Sequence, residues 1–238
     1  KRHTAGFEKE IALDLGVNVV TVEMVDAAGL KVKVTFTIIR LNEDHETTIV
    51  IPARPGAGGS KFPFTDVGRN DDCYDAVKYL YENEIMNGTS ATQFSPNAEL
   101  TRGMVVTILY RMEGEPVTLG SKSFSDVKAG RYYSEAVEWA AENGIVNGFT
   151  DGTFKPDQAV TREQLASILR RYASFSGIAT YDAELPANAS VSNWAKKDVA
   201  WAYAEGILTS AQTAAAAKNA NRAEVAMAIY AYLTGTAR

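Results

Sequence analysis

From residue 62 onward the apolar positions fall into helical stripes, and the same order of stripes returns three times. Ala76, Val77, Leu80 and Tyr81 form an i, i+1, i+4, i+5 pattern. Ala136, Val137, Ala140 and Ala141 repeat it. Val199, Ala202 and Tyr203, with Trp201 beside them, give a looser third copy. This spacing gathers apolar side chains on one helix face. Each stripe is read as ending at a glycine, Gly88, Gly144 or Gly206, because glycine accepts the left-handed backbone of a helix C-terminus. After a longer loop, a second helix is predicted to start at a capping residue, Thr101, Thr161 or Asn221. Thr161 with Gln164 and Asn221 with Glu224 have capping-box spacing, whereas Thr101 faces Met104. The second helices bury Val105, Ile108 and Leu109; Leu165, Ile168 and Leu169; and Val225, Ile229 and Tyr230.

Upstream the period changes to two. Val20, Val22 and Met24 alternate with Thr21, Glu23 and Val25, and Val32, Val34, Phe36 and Ile38 alternate with Lys33, Thr35 and Thr37. Asp26-Ala27-Ala28-Gly29 between them predicts a hairpin turn. Glu46 to Ile51 is read as one more strand. Pro55-Gly56-Ala57-Gly58-Gly59-Ser60 has linker composition.

The helical half is a written-out repeat. Phe64-Thr65-Asp66-Val67 returns as Phe124-Ser125-Asp126-Val127, Asn87-Gly88 as Asn147-Gly148, and Phe94-Ser95-Pro96 as Phe154-Lys155-Pro156. Each pair is 60 residues apart, as Phe64 is from Phe124. Trp201-Ala202 answers Trp139-Ala140, and Asn221-Arg222 answers Thr161-Arg162. Such tandem units bury their apolar faces against one another. The predicted division is a β unit over 1–53, a linker over 54–61, and repeats over 62–120, 121–178 and 179–238. The predicted fold is mainly α, three helix–loop–helix repeats in a pseudo-threefold bundle behind a small N-terminal antiparallel β unit.

Composition narrows the functions. The 238 residues are 46% hydrophobic and 22% charged, ordinary globular values. A net charge of −5 and a pI near 5.2 lack the basic footprint of a nucleic-acid binder. No apolar run approaches the roughly 20 residues that span a bilayer. The N-terminus shows no signal-peptide pattern, which predicts a fragment or processed form. Cys73 is the only cysteine and is read as a packing residue at a helix start. His3 and His45 stand in the β segment without a catalytic arrangement, and no metal or cofactor site is expected.

Phe-x-Asp-Val, a Trp-bearing helix, Gly-Ile-Val-Asn-Gly, Asp-Gly-Thr-Phe-x-Pro and Thr-Arg-Glu-Gln follow one another in residues 124–164. In that order they resemble an S-layer homology repeat. The first unit is similar and the third is a degenerate relative. Leu15-Gly16-Val17-Asn18, the hairpin and Thr37-Ile38-Ile39-Arg40 loosely resemble the closing strands of a bacterial immunoglobulin-like or cadherin-like sandwich. The main resemblance implies a non-catalytic anchor. Its three repeats form a spindle, and the grooves between them hold a secondary cell-wall polysaccharide attached to peptidoglycan. The recognised terminus is commonly a pyruvylated N-acetylmannosamine. The implied location is the extracellular wall or surface layer, with no cofactor, no nucleic acid and no membrane insertion; the oligomeric state stays open.

A pyruvate ketal presents a carboxylate, and the planar arginine fork suits it. The family's motif puts the ligand arginine at Arg102, Arg162 and Arg222, each directly after a helix cap, where free N–H groups would also favour an anion. Trp139, Trp201 and Tyr79 recur at one helix position and are candidates to stack on a sugar, with core packing the alternative reading. Asp151, Gly152 and Gly148 belong to the turn-rich loop, where glycine would let a sugar approach the backbone. Asp66, Asp126 and Asp182 are read as caps or turn formers. Arg162 is expected to outrank Arg222, because its own unit keeps the complete loop, and both are expected to be exposed. The other readings are a protein–protein scaffold and the non-catalytic tail of a secreted glycan-active enzyme.

Overall fold

A computed structural model describes residues 62–118, 120 and 124–234 with their side chains, and the backbone of two strands. The chain divides into residues 1–56 and 57–238. In the first part, β1 (Gly16–Val25) and β2 (Lys31–Arg40) pair antiparallel, with Gly16 opposite Arg40 and Val25 opposite Lys31. The expected turn, the strand at Glu46–Ile51, the linker 54–61, His3 and His45 lie outside the described residues.

The second part is mainly helical. Its helices are α1 (Tyr74–Glu82), α2 (Arg102–Met112), α3 (Ser134–Glu142), α4 (Arg162–Phe175), α5 (Lys196–Ala204), α6 (Ser210–Thr213) and α7 (Arg222–Thr234). A single 3-10 turn, Asn193–Ala195, precedes α5. Among the described residues no helix is long and apolar enough to cross a membrane. The predicted stripes point inward. Val77, Leu80, Val137, Ala140, Val199 and Ala202 are buried, as are Val105, Leu109, Leu165, Leu169, Val225 and Ile229, whereas Tyr81 and Tyr230 are half-buried and Tyr203 is exposed. Cys73 is buried at the start of α1.

The helices pack between units. The principal pairs are α2 on α3, α4 on α5, and α7 on α1. The segments just ahead of α2, α4 and α7 close a ring of backbone hydrogen bonds. Leu100 N–H donates to Ala220 O (3.2 Å), Ala220 N–H to Val160 O (2.8 Å), and Val160 N–H to Leu100 O (2.9 Å). All three residues are fully buried, so the ring satisfies polar groups that burial would otherwise penalise.

Two local expectations are corrected. The first helix of unit one does not run to Gly88. It ends at Glu82, and Glu84, at φ 58°, takes the left-handed position that Gly144 and Gly206 fill in the later units. Gly88 is the counterpart of Gly148. There a Cβ would meet the Phe64 ring at 2.3 Å, so the glycine admits a ring rather than ending a helix. The loop after α5 holds the short helix α6, opened by a reciprocal Thr209–Gln212 box.

Candidate functional site

Each second helix begins inside the loop of the next unit. Arg102 N–H donates to Gln158 O (2.9 Å) and Gly103 N–H to Pro156 O (2.8 Å). Arg162 and Glu163 N–H donate to Lys218 O and Ala216 O, and Arg222 and Ala223 N–H to Ala98 O and Pro96 O. Thr101, Thr161 and Asn221 cap the third amide. The leading amides are therefore consumed in joining units. The expectation that free helix N–H groups would help hold an anion is overturned, because neighbouring loop carbonyls accept those bonds first.

The arginine side chains follow the same circuit, each reaching into the next unit. Arg102 Nε donates to Phe154 O at 2.9 Å, and its guanidinium lies 4.6 Å from the Phe154 ring centroid and 4.8 Å from that of Phe149. Arg222 Nε donates to Phe94 O at 2.7 Å and Nη2 to Asn87 O at 2.6 Å, with the guanidinium 4.6 Å from the Phe94 ring. Arg162 meets no such phenylalanine, because α6 replaces that loop. It pairs instead with Glu224, Nη2 to Oε1 at 2.6 Å, and reaches Ala215 O at 3.1 Å. Arg102 and Arg222 are only 6% and 8% exposed. The Arg162 side chain is 17% exposed, so the expected exposure of Arg162 and Arg222 is wrong; ring faces lie against Arg102 and Arg222. The expected support of Arg162 by its own loop is also wrong, since that loop holds Arg102.

Electrostatics separate the three. Burial, reinforced by the charge of Arg171, pushes Arg102 down to about 10, and Asp126 only partly opposes this. Burial also lowers Arg222, against the pull of Asp66. Among the described residues neither has a carboxylate in ion-pair contact. Lys155 Nζ stands 4.2 Å from the centroid of the Phe149 ring, the same ring that Arg102 approaches. In a net acidic chain, Arg102 and Lys155 thus share one ring, and the charge of Arg171 also acts on Arg102.

The loops are held by two aspartates. Asp126 Oδ1 and Oδ2 accept Phe154 N–H (2.8 Å) and Lys155 N–H (2.7 Å). Asp66 does the same for Phe94 and Ser95, also at 2.8 and 2.7 Å. Asp66 and Asp126 are therefore not helix caps. Each clamps a peptide whose carbonyl, at Phe94 or Phe154, receives an arginine. Lys155 (φ 57°) and Ser95 (φ 59°) are left-handed, a conformation that costs non-glycine residues energy. Asp182 is elsewhere, paired with Lys197 at 3.0 Å.

Of the other sequence candidates, Asp151 is exposed, accepts Thr153 N–H at 3.0 Å and pairs with Lys155 at 3.4 Å. Gly152 has φ +78° with open space where a Cβ would stand. Gly148 has none: the Phe124 ring (2.3 Å) and Thr153 O (2.7 Å) already occupy the approach kept for a sugar. Trp139 and Trp201 are buried, which overturns their role as stacking faces. Trp139 packs against Tyr110 and Phe175. Both line clefts of about 520 and 440 Å³ that include residues at the C-terminal ends of α2, α4 and α7, away from the arginines. Tyr79 is partly exposed and edges Tyr230. The two most exposed rings among the described residues are instead Tyr132 (56%) and Trp194 (57%), just ahead of α3 and α5. They share one repeat position, the same register that relates Trp139 to Trp201, and this register was the available signal.

Comparison with known proteins fits this arrangement. The S-layer homology domain profile matches residues 63–103 and 123–166. An endoglucanase of Bacillus sp. (strain KSM-635) is 39% identical over 46% of this chain and 12% of its own length. An amylopullulanase of Thermoanaerobacterium thermosulfurigenes is 31% identical over 71% of this chain and 9% of its own. The surface-layer 125 kDa protein of Lysinibacillus sphaericus is 28% identical over 58% of this chain and 12% of its own. The chain thus spans about a tenth of the length of these curated relatives.

Proposed function

The chain carries S-layer homology domains at residues 63–103 and 123–166, and from that premise we propose that its helical part is a non-catalytic anchor. It holds a larger exported protein at the bacterial surface by binding a peptidoglycan-attached polysaccharide. Its location is the cell surface, associated with the wall. Residues 179–238 act as a degenerate third repeat, and the three form a pseudo-threefold body. The hydrogen-bond ring through Leu100, Val160 and Ala220 supports that reading. Relatives named as glycan-active enzymes and as a surface-layer protein support an attachment module whose cargo varies.

The ligand is an acidic saccharide of the pyruvylated N-acetylmannosamine class. One observation carries this reading. Arg102 is buried with only Nε committed, so its two terminal nitrogens have no partner among the described residues. A cation desolvated without a counter-charge is costly, and a ligand carboxylate taken end-on by the fork removes that cost. Arg222 is a second buried arginine without a carboxylate in ion-pair contact, with Nη1 uncommitted among the described residues. Tyr132 is exposed and could offer its face to the sugar ring. Its neighbour Tyr133 packs on Gly103, where a Cβ would meet the ring at 3.1 Å.

Calorimetric titration with a synthetic pyruvylated N-acetylmannosamine saccharide, and with the same sugar lacking the ketal, tests this. The chain should bind the first and not the second. Arg102→Lys retains the charge but not the fork, and should weaken binding roughly ten- to a hundredfold, the loss of a charge-assisted bond of about 1.5–3 kcal/mol. Equal affinity for both sugars would remove the carboxylate from the account.

A further inference from the structure

We propose that Glu224 closes the Arg162 groove to acidic ligands, so that the chain offers two acid-binding grooves rather than three. The proposal rests on the reading of the arginines given above.

Arg162 Nε and Nη2 both reach the Glu224 carboxylate, at 3.2 and 2.6 Å, while Nη1 donates to Ala215 O at 3.1 Å. All three guanidinium nitrogens are committed, and the fork already holds a carboxylate in the bidentate manner a ligand would need. The two side chains are 17% and 14% exposed, so solvent screens the pair weakly. An incoming carboxylate would have to displace Glu224 and strand it beside the ligand's own charge. Buried ion pairs resist such exchange because the displaced partner is left uncompensated.

Glu224 is fixed before any ligand arrives. Its Oε2 accepts the Asn221 N–H at 3.2 Å, and its own N–H donates to Asn221 Oδ1 at 2.8 Å. Two departures of the third unit combine here. Its loop is α6 rather than a Phe-x-Pro loop, so no phenylalanine carbonyl awaits Arg162 Nε. The capping position holds a carboxylate, where the corresponding residues are Gln164 and Met104. Arg102, by contrast, commits Nε alone, and Arg222 commits Nε and Nη2 to carbonyls.

Titration of the full chain with the pyruvylated saccharide should show two binding events. Arg162→Ala should change neither their number nor their affinity. Glu224→Gln should add a third event. The glutamine can keep the cap, as Gln164 does by accepting Thr161 N–H at 3.3 Å, while Arg162 loses its counter-charge. Adding Arg162→Ala to Glu224→Gln should remove the third event again. Three events in the parent chain, or two in Glu224→Gln, would overturn the proposal while leaving the anchor reading intact. No binding in any variant would defeat both.

Discussion

Asp126→Ala should destabilise the helical part by about 3 kcal/mol. The carboxylate accepts two backbone donors, Phe154 N–H at 2.8 Å and Lys155 N–H at 2.7 Å. Charge-assisted bonds contribute about 1.5–3 kcal/mol each, and the aspartate is only partly buried, so the lower figure applies twice. For a body of this size, 1 kcal/mol shifts Tm by about 2–4 °C, giving a fall of about 6–12 °C. The structure supplies an internal control. Asp66 makes the same two bonds, at 2.8 and 2.7 Å, to Phe94 and Ser95, so Asp66→Ala should match within about 0.5 kcal/mol, the agreement typical of independent sites. Asp126→Asn keeps one acceptor and should lose about half as much. Asp151→Ala, on the exposed side of the same loop, should leave stability nearly unchanged. Urea unfolding gives the energies, and amide exchange at Phe154 and Lys155 gives the local effect. A loss under about 0.5 kcal/mol for Asp126→Ala, or unchanged exchange at those amides, would refute the clamp.

The pH dependence of stability should show the other clamp. Burial raises the Asp66 carboxyl, but bonds from Phe94 and Ser95 N–H outweigh it and leave it below its ordinary value. A depressed folded pKa means the stabilisation is present above about pH 4, the unfolded value, and is lost as pH falls through the folded one; Asp66→Ala should flatten that acid limb in a pH-resolved melt. Gly148→Ala should cost more than Gly152→Ala, since both have positive φ but only Gly148 would drive a Cβ to 2.3 Å from the Phe124 ring; comparative denaturation midpoints check the order. Trp201→Ala should cost about 3–5 kcal/mol, as large core truncations do, and melting should show it.

Much of the helical part was legible because it is written in period and caps. The stripes are buried as their spacing predicts except at their last residues in two units, Tyr81 half-buried and Tyr203 exposed, and Thr161–Gln164 forms its box. The α6 signal, Thr209 followed by Gln212, was also in the sequence but was masked by the alanines around it. The site was less legible, for a geometric reason. Arg102, Arg162 and Arg222 find their partners 52, 62 and 128 residues away, in the next unit around the circuit. A repeat read along the chain pairs each arginine with its own loop instead. Asp66 and Asp126 were misread similarly, since their acceptors clamp amides 28 and 29 residues downstream. Trp139 and Tyr132 lie seven positions apart, two helical turns, so their exposure turns on where α3 starts, which periodicity fixes poorly.

The most direct test of anchoring is cosedimentation of the full chain with purified cell-wall sacculi that carry their acidic polysaccharide, set against the same sacculi stripped of that polymer. The chain should pellet with the first and stay in solution with the second. Equal pelleting with both would mean that bare peptidoglycan is what holds it, and would contradict recognition of the attached polysaccharide.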